Sequence, residues 1–291
     1  MPLKVVWLLI YIILIFVGTI SYIVAQVAMH PPRDPMFENP SNLGMSYQKI
    51  FLETPDRVIL SGWFIPKPGS NATVIFCHGY GTNKADCLPF VPFLHSAGYN
   101  LFLFDFRAHG ESGGECCSLG GQERQDLFTA IRWVQSRKGL NPNCIGVLGI
   151  SMGAATAIMV AAETTALKVV IADSSFSKLS DILGYQLRDY YLPSFPFAWV
   201  SSTWMGIKSG FNPFKYSPEN SISRIAPRPV LLIHGRDDDQ IPARHSLILY
   251  KKSRGHCELW VVSDAVHLGS FFCQPQKYQE KILKLFDKYI K

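Results

Sequence analysis

The chain has 291 residues, 48% of them hydrophobic and 17% charged, with a formal net charge of +6. That length allows one large domain or two small ones, and so high an apolar content excludes a disordered chain. The Lys and Arg residues are scattered without a basic run interleaved with aromatics, so nucleic acid is not an expected partner; the seven cysteines include no CxxC pair and no zinc-binding spacing.

From Val5 to Met29 there is no charged residue, and only Gly18, Thr19, Ser21 and Gln26 are weakly polar. As a helix this run is about 37 Å long, enough to cross a hydrocarbon core of about 30 Å with some tilt. It exceeds the ~7–15 apolar residues of a cleaved signal, and Ala25 and Ala28 do not form the small-residue cleavage pattern. Residues 1–30 are therefore expected to be an uncleaved single-span anchor. Lys4 and the terminal amine face His30 and Arg33 across the span, a slight asymmetry that places the amino terminus in the cytoplasm and the remaining chain on the far side. His30-Pro31-Pro32-Arg33-Asp34-Pro35 reads as a stiff spacer opening a linker over 31–46, because its prolines favour extended geometry.

From about Tyr47 short strand-like runs alternate with helix-length segments. Tyr47–Glu53 and Val58–Ile65 bracket the turn signal Thr54-Pro55-Asp56-Arg57 and predict an antiparallel hairpin. Thr73–Cys77, Asn100–Asp105, Cys144–Gly149, Lys168–Ala172, Pro229–Ile233 and Glu258–Val262 are continuous apolar runs, as expected of strands covered on both faces of a parallel sheet. The clearest helix is Gln122–Arg137, with Leu127, Ile131 and Val134 on one face. This alternation predicts an α/β fold with a doubly wound, mostly parallel sheet over residues 47–291, and in such sheets chemistry sits at the carboxyl ends of the strands. The aromatic-rich stretch from about 179 to 212 breaks the rhythm and is expected to be an inserted helical cap that lines the substrate site.

Gly149-Ile150-Ser151-Met152-Gly153 follows a predicted strand and opens the helix-like run Ala154–Ile158, the strand–turn–helix context of a nucleophile elbow. Small flanking residues let the strained turn approach its neighbours, and the helix N-terminus brings free N–H groups to a developing oxyanion. Gly110-Glu111-Ser112-Gly113-Gly114 has the same five-residue pattern without that context, so Ser112 is expected to sit in a structural loop. A serine needs a histidine to take its proton and an acid to orient that histidine, in the chain order Ser, acid, His. His267, in the loop after Glu258–Val262, is the expected base; His256 precedes that strand and belongs to the opposite edge. The loop after Val230–Ile233 offers Asp237, Asp238 and Asp239 as acids, and position alone does not choose among them. The oxyanion hole is expected from the N–H groups of Met152 and of Tyr80, in the loop His78-Gly79-Tyr80-Gly81. His78 itself is read as a structural residue.

Together these motifs resemble the α/β-hydrolase superfamily, in particular membrane-anchored bacterial serine hydrolases of the BEM46-like and serine-aminopeptidase-like groups. The resemblance runs from about Asn39 to the C-terminus, through Gly62-Trp63-Phe64-Ile65-Pro66, the His78 loop, Asp105-Phe106-Arg107-Ala108-His109-Gly110-Glu111-Ser112, the elbow, His234-Gly235-x-x-Asp238-x-x-Ile241-Pro242 and the His267 loop. It implies that Asp238, four residues after the His of the His-Gly pair, is the acid. This sequence departs from the pattern at Val266, where the family has a small residue. The expected activity is hydrolysis of carboxylic esters through an acyl-enzyme, on apolar or lipid-like acyl substrates, with no metal or organic cofactor implied. A peptidase or amidase using the same three residues is the alternative within the fold, and would need acidic cap residues such as Asp181 and Asp189 to hold a free amine; a non-catalytic membrane-bound interaction protein is the alternative outside it.

Overall fold

A computed structural model describes residues 3–291; Met1 and Pro2, the first residues of the expected anchor, lie outside the described residues. Among the described residues the strands are β1 (Gln48–Glu53), β2 (Ile59–Ile65), β3 (Thr73–Cys77), β4 (Asn100–Phe104), β5 (Ile145–Ile150), β6 (Leu167–Asp173), β7 (Val230–Gly235) and β8 (Cys257–Val262). The α-helices among the described residues are α1 (Leu3–Met29), α2 (Val91–Ser96), α3 (Glu123–Ser136), α4 (Met152–Ala161), α5 (Leu179–Gln186), α6 (Ser194–Ser209), α7 (Pro218–Ser221), α8 (Arg244–Lys252), α9 (Ser270–Cys273) and α10 (Pro275–Tyr289).

The strands form one sheet in the order β1-β2-β4-β3-β5-β6-β7-β8. β1 and β2 are antiparallel, and from β4 to β8 all pairings are parallel. The alternation of the sequence explains the difference. Edge strand β1 buries only Leu52 fully, whereas every residue of β3, β4 and β5 is buried, as their unbroken apolar runs require of strands covered on both faces. One face packs against α3 and α4 through Leu127, Ile131, Val134 and Ile158; the other packs against α2 and α10 through Val91, Leu94, Ile282 and Phe286.

The chain leaves β3 towards β4 on one side of the sheet and returns to β5 on the other. The order therefore reverses between β3 and β5, and a crevice opens at their carboxyl ends. The His78 loop and Ser151 follow those two strands, so topology alone places them together.

Residues 179–209 form α5, a short 3-10 turn at Leu187–Tyr190 and α6. They share an apolar cluster with the end of α1, Ala155 of α4 and Ile241: Ala25 and Met29 meet Ile182, Leu183, Phe197 and Met205. Roughly the last four turns of α1 lie along α6. Phe16 meets Phe197 edge-on at 6.1 Å, Tyr22 meets Trp204 at 5.6 Å, the Ser201 hydroxyl donates to the Ser21 carbonyl at 3.0 Å, and Lys208 donates to the Gln26 side chain at 3.0 Å. The proline-rich segment after α1 is not a free spacer. The Arg33 guanidinium donates to the carbonyls of Gly110 (3.0 Å), Ser112 (2.6 Å) and Gly114 (2.8 Å), which tie it to the domain.

Candidate active site

The elbow has the steric economy its sequence implies. A Cβ on Gly153 would stand 2.1 Å from the Cys77 carbonyl oxygen, and one on Gly149 would stand 2.5 Å from the Gly153 oxygen. Only glycine lets α4 start this close to β3 and β5. Ser151 lies between them at φ 54° and ψ −119°, a region non-glycine residues adopt only when the surroundings enforce it. Its N–H is held by the Asp173 carbonyl at 2.8 Å. The His78 loop comes close on the other side: a Cβ on Gly79 would stand 3.4 Å from Ser151 Cβ and 3.9 Å from its Oγ. Among the described residues the N–H groups of Tyr80 and Met152 have no hydrogen-bond partner in the fold, so both are available to a bound anion.

His78 acts on the loop's shape. Its Nδ1 donates to the Gly79 carbonyl at 2.7 Å, and its Nε2 accepts the Phe106 N–H at 2.9 Å. Burial pushes this imidazole well below its ordinary pKa, with His109 nearby adding to the effect, so it stays neutral and keeps both bonds.

The structure brings Asp238 and His267 together and sets Asp237 and Asp239 apart. Asp238 is 5% exposed, whereas its two neighbours are exposed. Its Oδ1 accepts the N–H groups of Gln240 (3.0 Å) and Ile241 (2.7 Å), and its Oδ2 lies 2.7 Å from His267 Nδ1. Burial alone would raise the Asp238 pKa. The hydrogen bonds from His234 and His267 and the charge of His267 outweigh it, and the carboxyl is held well below the usual carboxylate range. An ionised carboxylate only accepts, so His267 Nδ1 carries the proton and Nε2 keeps its lone pair for a substrate or nucleophile. Gly235 makes this meeting possible: a Cβ there would stand 2.2 Å from the Ala265 oxygen and 2.6 Å from that of Val266. Val266 is 57% exposed and its side chain faces solvent, so its bulk in place of a small residue costs the loop little.

Two residues near the site were legible only as motif markers or not at all. His234 donates from Nε2 to the Ile241 carbonyl (2.7 Å), with Asp238 Oδ2 at 3.2 Å, and its Nδ1 accepts the Ser246 hydroxyl at 2.6 Å; it stiffens the acid loop. Asp173, at the end of β6, accepts the Tyr278 hydroxyl at 3.0 Å, and burial lifts its pKa to about 6. Nothing in its local sequence marks it, since Tyr278 is 105 residues away. Ser112 is buried, with its hydroxyl donating to the Asp105 carbonyl (2.7 Å) and accepting the Ser61 N–H (2.9 Å), a structural loop position. His256 precedes β8, at the edge opposite His267.

Residues 91–291 match the prolyl oligopeptidase family. The uncharacterized protein YqkD of Bacillus subtilis (strain 168) is 30% identical over 231 residues, 78% of this chain and 75% of that protein. Protein bem46 of Schizosaccharomyces pombe is 26% identical over 217 residues, 72% of this chain and 67% of that one. Among solved structures, the Pyrococcus furiosus esterase Pf2001 superposes with a TM-score of 0.77 at 30% identity, over 91% of this chain and 99% of that one. With its mostly parallel eight-stranded sheet and its elbow at β5, the chain belongs to the prolyl oligopeptidase family, as an α/β-hydrolase-fold serine hydrolase of the BEM46-like type.

Proposed function

We propose that this hydrolase cleaves carboxylic esters of apolar or lipid-like acyl groups while anchored to a membrane by α1. Ser151 is the nucleophile, His267 takes its proton and returns it to the leaving alkoxide, and Asp238 orients His267 and stabilises the imidazolium. The N–H groups of Tyr80 and Met152 receive the oxyanion of each tetrahedral intermediate. Water then attacks the acyl-enzyme by the same route, with no metal or organic cofactor taking part.

The observation that carries this reading is the Asp238–His267 hydrogen bond at 2.7 Å, in a sheet whose strained Ser151 elbow lies against Gly79. Ester over amide is favoured by the esterase Pf2001, to which this chain is 30% identical. An apolar acyl group is favoured by the cluster of Phe176, Leu179, Phe197, Met205 and Met29 beside Ala155, one turn after Ser151. Peptide hydrolysis is the second reading, favoured by the prolyl oligopeptidase family match. Slight charge asymmetry around α1 favours an extracytoplasmic catalytic domain.

Labelling of the purified full-length protein with a fluorophosphonate probe tests the mechanism. Labelling should be lost in Ser151→Ala and His267→Ala and kept in Ser112→Ala. A folded wild-type protein that takes no label would overturn the serine-hydrolase mechanism. Comparison of p-nitrophenyl esters of graded chain length with aminoacyl naphthylamides then separates the two substrate classes.

A further inference from the structure

Helix α6 has an outer surface that hydrolysis does not require. From Ser194 to Ile207 the chain contains no ionisable side chain. The inner face, with Phe197, Ser201 and Met205, is buried against α1 and the cap. The outer face leaves Trp199 53% and Ile207 69% exposed, and Phe195, in the non-helical turn that opens α6, is 79% exposed; these are large apolar side chains that water disfavours. The Thr203 hydroxyl among them donates back to the Trp199 carbonyl at 2.9 Å and so needs no water.

The dimensions of α1 say what covers this face. Its residues Val5–Ile15 are exposed all round, but these 11 residues give only about 17 Å, about 13 Å short of a hydrocarbon core of ~30 Å. The missing length is about nine residues, Phe16–Val24, and those already lie beside α6. Polar groups mark the same limits. Lys4 and Gln26 are separated by about 33 Å along the helix, and Gln26 is bonded to Lys208, the first charge after the apolar stretch of α6. At that level α1 and α6 enclose a crevice of about 230 Å³ lined by Tyr22, Ala25, Met29, Trp204 and Ile207 together with Gln26 and Lys208 themselves. On the other side of the stretch, Arg188 is folded back on Tyr185 at 3.7 Å, with the exposed Asp189 next to it in the turn before α6.

We propose that α6 is itself a membrane-embedded element, seated with Trp199 and Ile207 of its outer face, and Phe195 before them, in the acyl phase of the nearer leaflet beside α1. This rests on the anchoring role given to α1 and is independent of the reaction. Trp204 and Tyr22 then lie towards the aromatic belt at the membrane boundary, and the cap sits with one side in lipid.

Full-length protein in phosphatidylcholine–phosphatidylglycerol vesicles, photolabelled with an apolar aryl diazirine dissolved in the acyl phase and mapped by peptide mass spectrometry, tests this. Adducts are expected on Trp199 and Ile207 at a level matching α1, while Phe51, equally exposed on β1, stays unlabelled. Adducts confined to α1, with Trp199 and Ile207 no more labelled than Phe51, would overturn the proposal and leave the anchor standing. Adducts on neither helix would overturn both. Activity is not part of the readout, so a failure of the esterase reading is seen separately.

Discussion

The sharpest test of the Asp238 geometry is Asp238→Asn, a change of one atom. The two backbone N–H groups of Gln240 and Ile241 keep Oδ1 as an acceptor, so the new NH2 must take the place of Oδ2, 2.7 Å from His267 Nδ1. His234 Nε2 is also near but carries a proton, shared between the Ile241 carbonyl at 2.7 Å and Asp238 Oδ2 at 3.2 Å, so it offers the amide no lone pair. The only acceptor left is His267 Nδ1, which forces the proton onto Nε2 and leaves an imidazole that cannot deprotonate Ser151. Turning the amide over would set NH2 against the Gln240 and Ile241 donors, losing two hydrogen bonds of about 1 kcal/mol each and adding about 1–3 kcal/mol for each buried donor left unpaired. The wrong tautomer should therefore persist, and kcat for p-nitrophenyl butyrate should fall about 10⁴-fold, or about 5.4 kcal/mol at 1.36 kcal/mol per decade. A variant with an unchanged thermal midpoint and activity within about tenfold of wild type would refute the tautomer argument.

In Gly235→Ala the new Cβ meets two backbone oxygens of the His267 loop, 2.2 and 2.6 Å away, which cannot rotate aside. A loop shift of about 1 Å should lower kcat/KM about 100-fold, and equal fluorophosphonate labelling rates in variant and wild type would contradict it. Buried His245 lies near Ser177, with Nδ1 2.9 Å from the Ser177 hydroxyl, and burial lowers its pKa to about 4. The unfolded chain takes the proton first, near 6.5, so this histidine's contribution is present above that pH and declines as pH falls towards 4, by up to about 3 kcal/mol. Urea unfolding in detergent at pH 7.5 and 4.5 should show wild type losing that advantage relative to His245→Gln, and a pH-independent difference between the two would refute the linkage.

Much of this protein was readable in its sequence because the signals were local. The continuous apolar runs at Thr73–Cys77 and Ile145–Ile150 are what a strand covered on both faces must look like, and the glycines around Ser151 are what an elbow packed against β3 must have. Ser151 and His267 follow from strand ends and chain order, which need no distances. What only the tertiary structure decided involves residues far apart in the chain. Loop position did not choose among three adjacent aspartates and only the family resemblance pointed to Asp238; its burial and its 2.7 Å contact with His267 exist only once β7 and β8 are paired and Gly235 lets the loops meet. The support from His234, the Asp173–Tyr278 bond across 105 residues and the docking of α1 along α6 leave no periodicity to read, because each depends on which surfaces meet after the sheet has formed. Local sequence encodes what each segment can be, by propensity and side-chain spacing, whereas partner choice across the fold is set by packing that no short window contains.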